Sequence, residues 1–353
     1  MMKINYIIPA LTEYTLLPDD TLNQIFPENL IKILKYSDKN EATHATKMPW
    51  LSLLLDHIHS DQDIPYVFLR LAYENPTFFN PKSQNIWLCA DPVHIQILHD
   101  QLVLVDEKYL DLTEAESEEI VIALNDFLKN DGIQVHMTSP SHFYFELESD
   151  DLLKDCITTP LHHVVGRHIE HFLPQGEKAQ YWRKLFNEIQ MFLHTLPLNE
   201  AREAAGKLPI NGLWFWGNAL HSSFSPSIVT QRSTVFCRNP FLLGLKKLAP
   251  HLDIQLLPSA LDTTILSSIN EEIFIVLDDL IPFLHYQDIE SYRDTILALD
   301  QHYFSPTWNL FKNQQIQNIK MIFPSMTRTV TYSLSSLNLY KFWRRTKTLT
   351  QFL

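Results

Sequence analysis

Glycine is scarce, at 7 residues in a chain of 353. Phosphate cradles and dinucleotide turns cluster glycines, because only a residue without Cβ lets the backbone approach a ligand so closely. Neither GxGxxG nor GxxxxGK followed by Ser or Thr occurs, so nucleotide binding through those loops is excluded. Cysteine is rarer still, at 3 residues. Cys89, Cys156 and Cys237 are far apart and form no CxxC, which is neither a disulfide framework nor a zinc site. A reducing, cytoplasmic setting is expected. No apolar run reaches the roughly 18–20 residues of a membrane span. The start, MMKINYIIPALTEYTLLPDD, has no small-residue cleavage site and is not read as a signal peptide. No membrane partner is expected.

Acidic residues are missing after Asp300. The last 53 residues therefore carry +7 and the first 300 carry −20, within a net charge of −13. An acidic body repels nucleic acid at long range, and a basic tail attracts it. Docking of the tail on the chain's own acidic body is the alternative.

What is present is an apolar content of 45%, enough for one large domain or two smaller ones. KINYIIPA (3–10) reads as a buried strand ended by Pro9. A helix is expected over 20–35 with Asp19 or Asp20 as its cap, and another over 50–57. IWLCAD (86–91) and QLVLVD (101–106) read as strands. Thr113 and Glu116 make a capping box for a helix bearing Ile120, Val121, Leu124, Phe127 and Leu128. IQVHM (133–137) and HFYFELE (142–148) read as a hairpin. Residues 150–178 are irregular and rich in His. The stripe Trp182, Leu185, Phe186, Ile189, Phe192, Leu193, Leu196 marks a helix over 179–196. A short helix over 199–205 and a strand over 211–217 follow. The last third alternates, with strands at 253–257, 272–279, 319–323 and 329–332, a helix over 289–299, and a basic helix closing the chain.

These elements divide the chain into a first part of an α/β core (1–84), an inserted α+β subdomain (85–149), the rest of the core (150–333) and a basic C-terminal helix (334–353). Alternating β and α elements argue for a largely parallel sheet with helices on both faces.

Two stretches resemble a known family. LPLNEAREAAGKLPINGLWFWG (196–217) is similar to a run in archaeal-type cofactor-independent phosphoglycerate mutases, of the alkaline phosphatase superfamily, through Pro197, Asn199, Arg202, Gly206, Pro209, Asn211 and Gly217. The element order of 85–149, its ALND (123–126) and His163-x-x-Gly166 match as well. ADPVH (90–94), WRKLFNEIQMFLH (182–194) and LWFWG (213–217) also resemble the bacterial RpfE-type regulatory proteins. The 85–217 stretch looks closer still to this second family, so the resemblance implies an alkaline-phosphatase-like fold and a regulatory role.

Phosphoryl transfer in that superfamily implies two divalent metals on Asp and His at strand ends, beside a Ser or Thr nucleophile. The first strand, expected to end in Asp-Gly, ends in Pro9-Ala10. The nucleophile region offers Thr46 or Ser52 without the Gly-Ser-Asp context. The late strand ends in Asp278 and Asp279, with His285 after a gap. Where Asp-His is expected, Ser325 and Met326 stand, and Arg328 brings a positive charge. Losses at the first and last strands leave too few ligands for two metals.

Several candidates remain. Asp278, Asp279 and His285 suit a single metal, or a solvated carboxylate pair. His162, His163, His168 and His171 form a His-rich loop. Asn199, Arg202 and Asn211 suit an anionic ligand, or cap and pair locally. Asp91 and His94 are a possible pairing, and His163 follows from the resemblance. Trp214 and Trp216 share one strand face. The expected function is a catalytically degenerate mutase-like protein that binds a partner protein or a small anionic ligand, without a cofactor. The alternatives are a residual phosphomutase or phosphatase needing Mn²⁺ or Mg²⁺, and a nucleic-acid-associated factor using the basic tail.

Overall fold

A computed structural model describes residues 2–12, 25–44, 49–55, 63–75, 86–98, 101–217, 233–262, 272–285, 288–325, 327–341 and 343–353. Two compact units emerge, one made of Met1–Ser60 with Pro226–Leu353, the other of Asp61–Ser225.

Along the chain, β1 (Lys3–Ile7), α1 (Glu28–Tyr36) and β2 (Asp38–Thr43) open the first unit. The second unit holds α2 (Tyr66–Glu74), β3 (Ile86–Leu98), β4 (Gln101–Val105), α3 (Glu107–Leu110), α4 (Glu114–Phe127), β5 (Ile133–Ser139) and β6 (His142–Leu147). It continues with β7 (Cys156–Ile157), β8 (Gln175–Gly176), α5 (Ala179–His194), α6 (Pro197–Ala204) and β9 (Gly212–Trp216). The first unit then resumes with β10 (Ser233–Cys237), α7 (Pro240–Leu248), β11 (Ile254–Leu256), β12 (Glu272–Val276), α8 (Ile281–His285), α9 (Ile289–Leu299), α10 (Ser305–Lys312), β13 (Asn318–Pro324), β14 (Arg328–Ser335) and α11 (Leu349–Phe352).

The first unit is an α/β domain on a seven-stranded sheet, ordered β11-β10-β12-β1-β13-β14-β2. Its first five strands are parallel; β14 and β2 add antiparallel. β1 is central and apolar because both faces of an inner parallel strand are covered. Ile4, Tyr6 and Ile7 are buried, and the one polar inner residue, Asn5, donates to Glu272 Oε1 at 3.0 Å and to the Ile273 carbonyl at 3.3 Å. Pro9 follows the strand, as its missing N–H requires.

Two elements of this unit differ from expectation. β2 is exposed at all six residues. DKNEAT shows no alternation, and the strand exists because its backbone pairs with β14 from Arg328↔Thr43 to Ser333↔Asp38; its charges blunt a sheet edge. The closing basic helix does not form over 334–353. β14 runs to Ser335, a 3₁₀ turn covers Ser336–Tyr340, and only Leu349–Phe352 is helical. The tail docks on its own unit instead: Leu349, Phe352 and Leu353 are buried in the core, and Lys341 and Arg344 pair with Asp38.

α1 begins later than expected, after Pro27; Asp19 and Asp20 lie outside the described residues. Its first-turn amides find a carboxylate from far along the chain. Asp300 accepts from Asn29 N at 3.2 Å and Leu30 N at 2.7 Å, which is what a helix N-terminus calls for. The helix expected over 50–57 is a 3₁₀ turn at Trp50–Leu53.

The second unit contains the 85–149 segment and extends beyond it. Its main sheet is ordered β4-β3-β6-β5, with β9 alongside β3. β3 runs straight through Pro92, pairing with β6 over 86–89, β9 over 89–93 and β4 over 94–98. The expected end at Asp91 is overrun because Pro92 sits in a strand held from several sides. α5 lays Trp182, Leu185, Phe186, Ile189 and Leu193 into the core, and Phe192 stacks on Phe127 at 4.4 Å between ring centroids. Among the described residues no helix is long and apolar enough to cross a membrane.

Candidate functional site

The Asn-Arg-Asn segment is a set of internal ties. Asn199 in α6 donates to the carbonyls of Leu193 (2.8 Å) and Ile210 (2.9 Å) and accepts from Ile210 N at 2.7 Å. Asn211 does the same for β3, accepting from Ile95 N at 2.7 Å and donating to Ile95 O at 2.8 Å. Arg202 is buried; its guanidinium donates to Leu208 O at 2.9 Å, to Glu116 Oε1 at 2.7 Å and to Leu110 O. Glu116 also closes the expected capping box, accepting from Thr113 N at 2.8 Å. The motif thus ties α6 and the strand after it to α4 and β3.

Asp91 and His94 take separate partners. His94 Nδ1 lies 2.8 Å from the Pro209 carbonyl and donates to it. Asp91 accepts both guanidinium nitrogens of Arg70, at 2.7 and 2.8 Å, and the Trp216 indole N–H at 2.7 Å. This fully buried ion pair was not foreseen. Its signal was a lone Arg inside YVFLRLAYE, since a cation buried in an apolar helix must find a carboxylate.

Close to it, Glu74 and Glu107 flank His142, at 2.6 Å from Nδ1 and 3.3 Å from Nε2. Burial opposes the imidazolium, but hydrogen bonds to Glu107 and Glu74 outweigh it and lift His142 to about 9. Burial likewise raises Glu74, yet His142, Arg70 and Thr138 together pull it down to about 2.

His163 sits half-buried in a short turn, its ring 4.3 Å from that of His162. His168 and His171 form a second ring pair at 5.6 Å. Among the described residues no group of three His, Cys, Asp or Glu side chains is placed to hold a metal.

The first unit's sheet gathers the other candidates at one edge. β10, β12, β1 and β13 are parallel, and Ile7 is level with both Val276 and Ile322. Pro9–Ala10, Asp278–Asp279, Arg238–Asn239 and Ser325 therefore follow the carboxyl ends of neighbouring strands, where open α/β sheets bind ligands. Met326, Thr46 and the His285 side chain lie outside the described residues.

At that edge the carboxylates are engaged. Asn239 donates to Asp278 Oδ2 at 2.7 Å, and Arg238 donates to Asp279 Oδ1 at 2.9 Å. Burial pushes the Asp278 carboxyl above its ordinary range, against the Asn239 hydrogen bond. Arg238 also reaches Tyr303 Oη and the Pro258 carbonyl. Asn239 caps α7, accepting from Phe241 N at 3.1 Å and Leu242 N at 3.2 Å. Ser325 closes the β13–β14 turn on Arg328. Arg328 does not bring its charge to this edge: its guanidinium pairs with Glu41 of β2 at 3.1 Å. Among the described residues named at this edge the cation is Arg238, which sequence reasoning missed because it belongs to no motif. A two-metal donor set does not fit these described residues. One carboxylate is tied to a guanidinium, the other to an amide, and Pro9, Ala10 and Ser325 supply no carboxylate or imidazole.

The profile of the family described as 2,3-bisphosphoglycerate-independent phosphoglycerate mutase matches residues 93–199. The middle of the chain is similar to these mutases. The Methanosarcina mazei mutase is 23% identical over 164 residues, covering 44% of this chain and 41% of the relative. A probable mutase from Geobacter sulfurreducens is 30% identical over 137 residues, covering 38% of this chain and 34% of the relative. The matched stretches thus span about two fifths or less of those relatives. A cofactor-independent phosphoglycerate mutase structure from Thermoplasma acidophilum aligns over 95% of this chain and 90% of its own, at 14% identity and a TM-score of 0.44. The residues matched by the family profile, 93–199, include Asn199 and His163 but not Asp278 and Asp279.

Proposed function

We propose that this chain is a phosphoglycerate-mutase-like protein that acts by binding a small anionic ligand, or a partner that presents one, without the two-metal phosphoryl transfer. The observation that carries this is the Arg238–Asp279 ion pair at the carboxyl edge of the parallel sheet. Arg238 and Asp279 are each about one-third exposed there, at 36% and 33%. A guanidinium in that place attracts a carboxylate or phosphate by charge and through the N–H groups not given to Asp279, Pro258 and Tyr303. It opposes a divalent cation at the same spot by like-charge repulsion. A regulatory role, as in the RpfE-type proteins, accords with binding without turnover.

The test joins catalysis to binding. The purified chain is assayed with 3-phosphoglycerate and a generic phosphate ester, with Mn²⁺ and Mg²⁺ added. No turnover above the protein-free rate is expected. Without metal, 3-phosphoglycerate should raise the melting temperature, and Arg238→Ala should abolish the rise. Turnover that disappears in Asp279→Asn would overturn the proposal. It would favour a residual phosphomutase or phosphatase, a reading that the raised Asp278 carboxyl beside Asp279 also supports.

A further inference from the structure

The stretch after β14 keeps bulky apolar side chains in water while being firmly held. Leu337 and Tyr340 are each 75% exposed and Trp343 is 67% exposed. Leu337 and Tyr340 are three apart in the 3₁₀ turn Ser336–Tyr340, so their side chains eclipse on one side. The opposite side is clamped to Asp38. Asn338 Nδ2 donates to Asp38 Oδ2 at 2.8 Å, and Lys341 donates to both carboxylate oxygens at 2.7 and 2.9 Å. Arg344 adds Asp38 and the Tyr36 and Ser37 carbonyls. Hydrogen bonds from Lys341, Arg344 and Asn338 hold the Asp38 carboxyl well below the usual carboxylate range. A segment pinned in this way presents its apolar residues because the clamp fixes them outward.

Its charge is one-sided. Lys35 reaches Thr346 Oγ1 at 3.2 Å, and Arg345 and Lys347 are exposed. Of these cations and Lys341 and Arg344, only the last two are paired with Asp38; Lys347 lies over the Phe352 ring. The neighbouring Glu41 is already taken by Lys39 and Arg328.

We infer that Leu337, Tyr340 and Trp343, with Lys341, Arg344, Arg345 and Lys347, form a peripheral docking surface for an anionic lipid membrane. Cations attract the headgroup phosphates, Tyr and Trp rest at headgroup level, and Leu partitions below them. The aliphatic Leu337 and the partly exposed Leu339 favour this over single-stranded nucleic acid, whose bases reward planar side chains and cations. Contact of this kind needs no spanning helix, so it goes beyond the expectation of no membrane partner, which rested on the lack of an apolar run. It is independent of the Arg238 edge and of any ligand there.

The full chain is sedimented with vesicles of mixed phosphatidylglycerol and phosphatidylcholine, and with phosphatidylcholine alone. Retention is expected on the first only, falling as salt is raised. The pair Leu337→Ser with Trp343→Ser, and separately the pair Arg345→Glu with Lys347→Glu, should each weaken retention by about tenfold or more. Circular dichroism should stay unchanged and the melting temperature should fall little, because the ties of Asn338, Lys341 and Arg344 to Asp38 are left intact. The inference is overturned by no retention on anionic vesicles at low salt, or by retention that both variants leave intact. It is also overturned if a single-stranded RNA oligonucleotide binds through Arg345 and Lys347 while vesicles do not.

Discussion

His142 lies between two carboxylates, and the protein's response to pH follows from that. Its folded pKa, about 9, stands above the ordinary value of 6.5. The stabilisation is therefore complete below about 6.5 and is lost as pH rises through about 9. Glu74 is the mirror case. Its folded pKa, about 2, stands below the ordinary 4.5, so its contribution is complete above about 4.5 and is lost as pH falls towards about 2. The two shifts overlap in the His142–Glu74 pair, while Glu107 adds to the first and Arg70 and Thr138 to the second. Urea midpoints should be flat between about pH 4.5 and 6.5 and decline on both flanks. In His142→Gln the alkaline decline should largely vanish; a variant with the same alkaline slope as the parent would show that the shift lies elsewhere. None of this was legible in the sequence. His142, Glu74 and Glu107 lie on three separate elements, and only the folded backbone brings them within 3.3 Å.

Elements governed by short-range rules were read well, and those governed by distant partners were not. The capping box at Thr113 and Glu116, the α5 stripe and the β5–β6 hairpin depend on residues within one or two turns, and they form as expected. β2 depends on β14, nearly 300 residues away, and the start of α1 depends on Asp300; neither partner is visible locally. The Asn199–Asn211 segment shows the same split. Local capping and pairing was one of its two readings, but Arg202 joins Glu116, far from it in sequence. That junction separates two substitutions. Thr113→Ala removes the two hydrogen bonds of its hydroxyl to Glu116 and should cost about 1 kcal/mol. Glu116→Ala removes the cap bond and leaves the buried Arg202 cation without its carboxylate, which should cost about 3 kcal/mol or more. Equal losses for both in denaturant titrations would mean that the Arg202–Glu116 bridge contributes nothing.

The two compact units differ in how the chain builds them. Asp61–Ser225 is one continuous stretch. It has its own buried aromatic core of Trp182, Trp214, Phe143, Phe145 and Tyr144, and its own paired charges, Arg70–Asp91 and Arg202–Glu116. The other unit is discontinuous. β1 finds both its neighbours, β12 and β13, only after the whole second unit has been made. Closing that separation costs loop entropy before any ladder bond rewards it. Residues 61–225 expressed alone should therefore fold, giving a single sigmoidal urea transition by circular dichroism and by tryptophan fluorescence. A chain cut after residue 225 should show that same transition and no second one, since β1, α1 and β2 would lack the strands that pair with them. If 61–225 alone unfolds without cooperativity, its core is insufficient by itself and the units stabilise each other. If instead the cut chain gains a second transition, residues 1–60 hold structure that does not depend on β12 and β13.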